Sequence, residues 1–218
     1  MTTFPNAPKL VRGGLVLLDA DSGHVRRIIA LQYNPESLSR TLQVQGAGEG
    51  GERSEALRLR GPAVETIKFD AEIDAADQLE RPDQHPHAVE VGIQPMLAAL
   101  ESLVYPAAAD LMASRELAAF GTIEIAPVEA PLTLFVWSRQ RILPVRVTDF
   151  SIAEEAFDPA LNPIRAKVSL GLRVLSTDDL AFSHKGASLF LGYLKNKEAL
   201  SRRLAGGTAG ALGLGAIP

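Results

Sequence analysis

Two hydrophobic rhythms run along the chain. In "ETIKFDAEID", residues 65–74, Ile67, Phe69, Ala71 and Ile73 share one face, and Thr66, Lys68, Asp70 and Glu72 share the other. That period of two predicts a half-buried strand. "RAKVSLGLRVL", residues 165–175, repeats the pattern, with Ala166, Val168, Leu170, Leu172 and Val174 set against Arg165, Lys167, Ser169, Gly171 and Arg173. Shorter runs predict strands over Gly14–Leu18, Arg26–Tyr33, Ser37–Gln45, Gly121–Ile125, Leu132–Trp137 and Ile142–Ile152. Turn chemistry separates them at Asp21-Ser22-Gly23, at Asn34-Pro35, and at Asp158-Pro159 with Asn162-Pro163.

The second rhythm is helical. Ile93, Met96/Leu97, Leu100 and Leu103/Val104 recur at helical spacing and predict a helix over about His87–Val104, started or kinked at Pro95. Ala107–Ala119 reads as a second short helix. An amphipathic helix is predicted over about Ser188–Leu204, with Phe190, Tyr193, Leu194, Leu200 and Leu204 on one side. The Gly/Ala-rich tail "AGGTAGALGLGAIP" follows, expected to be mobile unless a partner captures it. "GAGEGGERSEA", residues 46–56, reads as a flexible loop, or as an arm that orders against a partner.

Strands, one central helix, strands and a helical appendage define a mainly β class with flanking α elements. Clean alternation favours antiparallel pairing. The expected architecture is a two-sheet sandwich or small barrel with one flanking helix and a C-terminal helical extension. The expected division is residues 10–176 for the β domain and 177–218 for the extension.

Composition narrows the function classes. Of 218 residues, 46% are hydrophobic and 22% charged, which suits a folded chain with its own core. A formal net charge of −4 argues against a domain built to grip nucleic acid. The absence of cysteine excludes disulfides and thiolate metal sites. "MTTFPNAPKLVRGG" lacks the layout of a signal peptide, and no apolar run reaches the length of a membrane span. Cytoplasmic assembly without membrane insertion is the resulting expectation.

Candidate chemistry does not converge. His85 and His87 have no further ligands at metal spacing, and His24 and His184 lie apart from them. Asp74, Asp77 and Glu80 crowd a strand end as glycosidase carboxylates do, yet no aromatic platform accompanies them. Glu154-Glu155 reads as a solvated turn. No Gly-x-Ser-x-Gly elbow is present, and "GAGEGGERS" lacks the Lys-Ser/Thr of a phosphate loop. Arg165, Lys167 and Arg173 share a strand face that meets either water or an acidic partner. A non-enzymatic protein without cofactor or metal is expected; a small polysaccharide hydrolase and a wall-binding module are the weaker alternatives.

Several segments, in order, resemble one family: Val16–Asp19, "IIALQYNPESLSRTL", "RGPAVETIKFDAEIDAADQLE", "GIQPMLAALESLVYP" and "PLTLFVWSRQRILPVRVTDFSIAEEAFDPALNPIRAKVSLGLRVL". They look like the tube-type baseplate proteins, the tube-initiator or adaptor group, of phage-tail-like contractile injection systems. Tyr33-Asn34-Pro35, Gly61-Pro62 and the Asp158-Pro159…Asn162-Pro163 segment carry most of the likeness. The resemblance implies a tail-tube fold arranged as a ring of six copies between spike or hub, baseplate and inner tube, in a particle that is released or anchored. It also implies contact roles for Tyr33, Asn34 and Pro35 as a corner, for Gly61 and Pro62, and for an arm containing Gly46, Glu49, Glu52, Arg53 and Glu55. Relatives commonly add a C-terminal LysM module. None is visible here, which leaves open a tube terminator or cap adaptor at the distal end.

Overall fold

The computed structural model describes residues 10–19, 22–46, 57–119, 130–204, 206–207, 209–213 and 215. Among these residues seven strands carry the fold: β1 (Gly14–Leu18), β2 (Val25–Ala30), β3 (Ser39–Gln43), β4 (Val64–Asp74), β5 (Leu132–Ser138), β6 (Arg141–Phe157) and β7 (Pro163–Val174). Five α-helices accompany them: α1 (Ala76–Leu79), α2 (Pro86–Val91), α3 (Gln94–Glu101), α4 (Ala108–Ala119) and α5 (Lys185–Ser201). The strand predicted over Gly121–Ile125 lies outside the described residues.

The mainly β, antiparallel class read from the sequence is what the structure shows. The two packed sheets are not: all seven strands join one hydrogen-bonded sheet in the order β2-β1-β5-β6-β7-β4-β3, every pairing antiparallel. The reason lies in β6, which pairs with β5 over its first residues and with β7 along most of its length, and so joins what would otherwise be separate sheets. Its ladder to β7 shifts register between Val147 and Asp149, between Glu154 and Ala156, and again before Phe157. Such bulges bend and coil a strand.

The sheet therefore rolls up. β5 and β4 stand three places apart in it, about 14 Å if it were flat. Yet the rings of Phe135 on β5 and Phe69 on β4 have centroids 5.5 Å apart. A side chain bridges the seam. Gln32, just past β2, donates from Nε2 to the Asp74 carbonyl at 2.6 Å and accepts from the Asp74 amide at 3.0 Å, imitating a strand partner for the end of β4.

The roll explains the sequence rhythms. β4 alternates because its inward residues Ile67, Phe69, Ala71 and Ile73 are buried while Lys68, Asp70 and Glu72 face water. β1 and β5 read as nearly continuous apolar runs because both their faces are covered. Leu15, Leu17 and Phe135 enter the main core, while Leu18, Leu132 and Leu134 form a smaller cluster with Leu189 of α5 on the opposite face.

The single helix expected over His87–Val104 is two. Gly92 ends α2 with φ +59°, and the Ile93 amide donates to the Pro163 carbonyl at 2.9 Å. A Cβ on Gly92 would lie 2.1 Å from that carbonyl oxygen, so only glycine fits. Pro95 then sits in the first turn of α3, where its missing N–H has no consequence. Ile93, Leu97 and Leu100 are buried in the main core, as their spacing predicted.

α5 is docked on the sheet. Phe190 and Tyr193 are buried in the core, whereas Leu200 and Leu204 remain exposed, so only the first turns of the predicted apolar stripe are used. Lys185 Nζ donates to the Gly23 carbonyl at 2.8 Å, and Asn196 Nδ2 to the Gln140 carbonyl at 3.0 Å, which ties the helix to two hairpin turns. At the β3–β4 hairpin a polar cluster does the same. Glu65, with a side chain only 4% exposed, accepts from Arg40 Nε at 2.6 Å and lies 3.4 Å from Lys197 Nζ. Arg40 also donates to the Tyr193 hydroxyl at 2.9 Å.

Candidate assembly surfaces

The Tyr33-Asn34-Pro35 corner is built as a clamp. Pro35 ends the run after β2, and the Asn34 side chain continues the ladder in its place. Asn34 Oδ1 accepts from the Gly13 amide and its Nδ2 donates to the Val11 carbonyl, both at 2.9 Å. Asn34 thus holds the chain entering β1. Tyr33 is half exposed and receives a 3.3 Å hydrogen bond from Gln32 Nε2.

Beside Tyr33 lies an open cleft of about 440 Å³ lined by Glu72, Asp74, Glu155, Arg165 and Lys167. Its charges answer one another. Arg165 Nε donates to Asp74 at 2.8 Å, and Lys167 lies 2.8 Å from Asp70, which also accepts from Ser169 Oγ at 2.7 Å. The Ala76 amide, with Arg165, holds Asp74 below the usual carboxylate range. Lys167 and Ser169 do the same for Asp70, and the Lys167 and Arg165 cations are stabilised in return. Lys68 and Asp149 meet across β7 at 3.7 Å, and Arg173 contacts Asp179 at 2.7 Å. The basic strand face read from the sequence is therefore engaged within the chain.

Of the carboxylates considered for hydrolysis, Asp74 is locked by Arg165, while Asp77 and Glu80 stand in solvent. His85 and His87 are exposed as well, and no group of three potential metal ligands occurs among the described residues. No helix among them is long and apolar enough to cross a membrane.

Gly61 and Pro62 follow the segment 47–56 and are held by nearby contacts. A Cβ on Gly61 would lie 2.5 Å from Asp178 Oδ2, so glycine permits this close approach, and Gln45 Nε2 donates to the Pro62 carbonyl at 3.0 Å. Gly46 forms an isolated antiparallel bridge with Leu59, and the Arg60 amide donates to the Gln45 carbonyl at 2.9 Å. Glu49, Glu52, Arg53 and Glu55 lie outside the described residues.

What sequence reasoning missed is the apolar character of the residues flanking that segment. Leu42, Val44, Leu57 and Leu59 are all exposed, Leu57 at 96%. The available signal was their adjacency to a Gly-rich loop. The structure also exposes backbone edges. β2 and β3 end the sheet, and β5 accompanies β6 only as far as Val145, so residues 147–157 have β7 alone as a neighbour among the described residues.

The β6–β7 turn is rigid. Asp158 Oδ1 accepts from the amides of Ala160 and Asn162 at 2.8 Å each, and Asn162 Nδ2 donates to Asp158 Oδ2 at 2.9 Å. Asn162, then Ala160, keep the Asp158 carboxyl below its ordinary range. Leu161 sits there at φ +65°, exposed.

No protein-family model matches the chain, and no curated protein matches it. Among solved structures, it is similar to a chain in the tail of an empty gene transfer agent particle with C6 symmetry. That match has 14% identity and a TM-score of 0.30, and covers 75% of this chain and 90% of the other. A chain in the virion of a native gene transfer agent particle matches at 14% identity and a TM-score of 0.27, over 74% and 90% of the two chains. Both scores lie below the level that marks a shared fold.

Proposed function

We propose that the chain is a structural ring subunit of a phage-tail-like contractile injection particle, joining spike or hub and baseplate to the inner tube and templating tube assembly. The observation that carries this reading is the exposed apolar arm base, Leu42, Val44, Leu57 and Leu59, beside the free β3 edge. An apolar patch continuous with an open edge is a liability in a lone subunit and an asset in a closed assembly. The order of the tube-like segments in the sequence supports the same reading.

On this reading the product is shape, and no catalysis, cofactor, metal, nucleic acid or membrane insertion is invoked. Six copies form the ring, assembled in the cytoplasm with tube, hub and baseplate proteins as partners. Tyr33, Asn34 and Pro35 hold the corner, Gly61 and Pro62 set the base of the arm, and the arm from Gly46 to Glu55 reaches the neighbouring subunit. Residues 10–176 act as the tube-like unit and 177–218 as its extension. A terminator or cap adaptor at the distal end is the second reading, favoured by the docked helix α5 standing where relatives carry LysM.

Electron microscopy of the purified protein tests the reading. Six-membered rings are expected, and deletion of residues 46–55 is expected to leave a folded monomer that forms none. Normal particles assembled from the deletion would refute the arm assignment. Labelling in intact particles separates the two readings, a signal at the baseplate end supporting the first and one at the distal end the second.

A further inference from the structure

Beside the first residues of β2 the structure holds a groove of about 910 Å³. Its lining includes Leu17 and Arg27, Leu103 and Tyr105 after α3, Leu111 of α4, and Pro131 just before β5. Tyr105 and Leu111 are exposed, and so are Val25 and Ile28 on β2 itself. Among the described residues β2 ends the sheet and pairs with β1 alone. We propose that Gly121–Ile125 of the same chain pairs antiparallel with this edge of β2 and seats Ile123 and Ile125 in the groove. The proposal does not rest on the ring reading above.

The path of the chain carries the argument. Residues 120–129 leave from α4 and return at Ala130, and α4 and Ala130 both line the groove. β2 and β5 each pair antiparallel with β1, so they run the same way, and Val25 and Leu132 both face Leu18. A strand antiparallel to β2 therefore ends beside Val25, at the end of the sheet where β5 begins. From there to Leu132 is three strand spacings, about 14 Å. Residues 126–131 reach about 20 Å when extended. Pro127 and Pro131 suit that stretch to a crossing linker rather than to a ladder.

Pattern and charge select the occupant and the edge. Ile123 and Ile125 share one face of the alternating run, and Thr122 and Glu124 share the other. Glu101 and Asp110 also line the groove, which the isoleucines enter and Glu124 does not. Residues 120–129 contain Glu124 and Glu129 and no Lys or Arg, whereas β2 contains Arg26 and Arg27 and no Asp or Glu. Arg26 is held by Asp19, and Arg27 is exposed with no ion pair to a described residue. The open edge of β6, residues 147–157, carries Asp149, Glu154 and Glu155 and no cation, so the acidic segment is repelled there. A segment tethered at both ends meets the groove at an effective concentration on the order of millimolar, which favours it over a second copy.

The test uses the absence of cysteine, which lets one introduced pair report one contact. The register with Ile125 opposite Val25 sets Glu124 opposite Arg26 and Thr122 opposite Ile28. Arg26→Cys with Glu124→Cys, and separately Ile28→Cys with Thr122→Cys, are expected to form a disulfide within single chains in most molecules under mild oxidation, read by peptide mass spectrometry. Glu154→Cys with Glu124→Cys is expected to stay reduced. Hydrogen exchange supplies the second readout. Replacing residues 121–125 with glycine and serine is expected to speed exchange of the outward β2 amides at least about tenfold, with circular dichroism melts establishing that the variant is folded. Two β2 pairs that stay reduced, or β2 exchange unchanged by the replacement, overturn the proposal. Cross-linking to Glu154→Cys assigns the segment to β6, and disulfides that form between chains assign the groove to a second copy. Either result overturns it as well.

Discussion

A few polar side chains carry out work that the backbone leaves unfinished. Asn34 extends the ladder past Pro35, so Asn34→Ala is expected to cost about 1–2 kcal/mol in urea unfolding, with faster exchange of the Gly13 amide. Glu65 is the buried partner of Arg40 and Lys197, and Glu65→Gln is expected to cost about 2 kcal/mol in the same measurement. Asp70, Asp74 and Asp158 titrate below their ordinary range in the folded chain. Near pH 4 the unfolded chain therefore binds more protons than the native one. Their stabilisation is fully present above the unfolded carboxylate range and is lost as the pH falls through the lowered folded values. Thermal melts are expected to decline as the pH falls below about 4. Asn34 was legible as a corner because proline follows it. Gln32, Glu65 and Asp158 were not, since each partner is assigned by tertiary contact, and nothing local to Gln32 distinguishes it from a solvated glutamine.

Elements were legible where one face meets water. β4 and β7 announce themselves by strict alternation, and Ile67, Phe69, Val168 and Leu170 are buried as that alternation demands. The sheet count was not legible, because alternation shows which face a strand buries and is silent about which strand lies beside it. The last residues of β6, beyond Ile152, were missed for a related reason: Glu154-Glu155 reads as a solvated turn, and bulges there break the period. The break between α2 and α3 was hidden by attributing the discontinuity to Pro95, while Gly92 is what requires it. Gly92→Ala should therefore cost about 2–4 kcal/mol, from a left-handed φ and a collision with the Pro163 carbonyl; Pro95→Ala should be nearly neutral. Paired chemical denaturation curves of the two variants decide which residue sets the break.

At the scale of the molecule, one glutamine amide bridges the chain just past β2 to the end of β4 in a rolled sheet. Gln32→Ala is expected to lower stability by about 1–2 kcal/mol and to raise exchange selectively at the Asp74 amide, while the β6–β7 ladder stays protected. The long strand β6 has a mechanical consequence. It runs on the order of 50 Å and shares a ladder with β7 along most of that length. Tension applied along its axis loads many hydrogen bonds at once, in shear, whereas force applied at the open ends of β6 and β7 peels them apart in succession. Single-molecule pulling between residues 146 and 165, handles at opposite ends of the shared ladder, should thus require clearly more force than pulling between residues 146 and 173, which face each other at one end. A sheet with that anisotropy is stiff along one line and yielding across it.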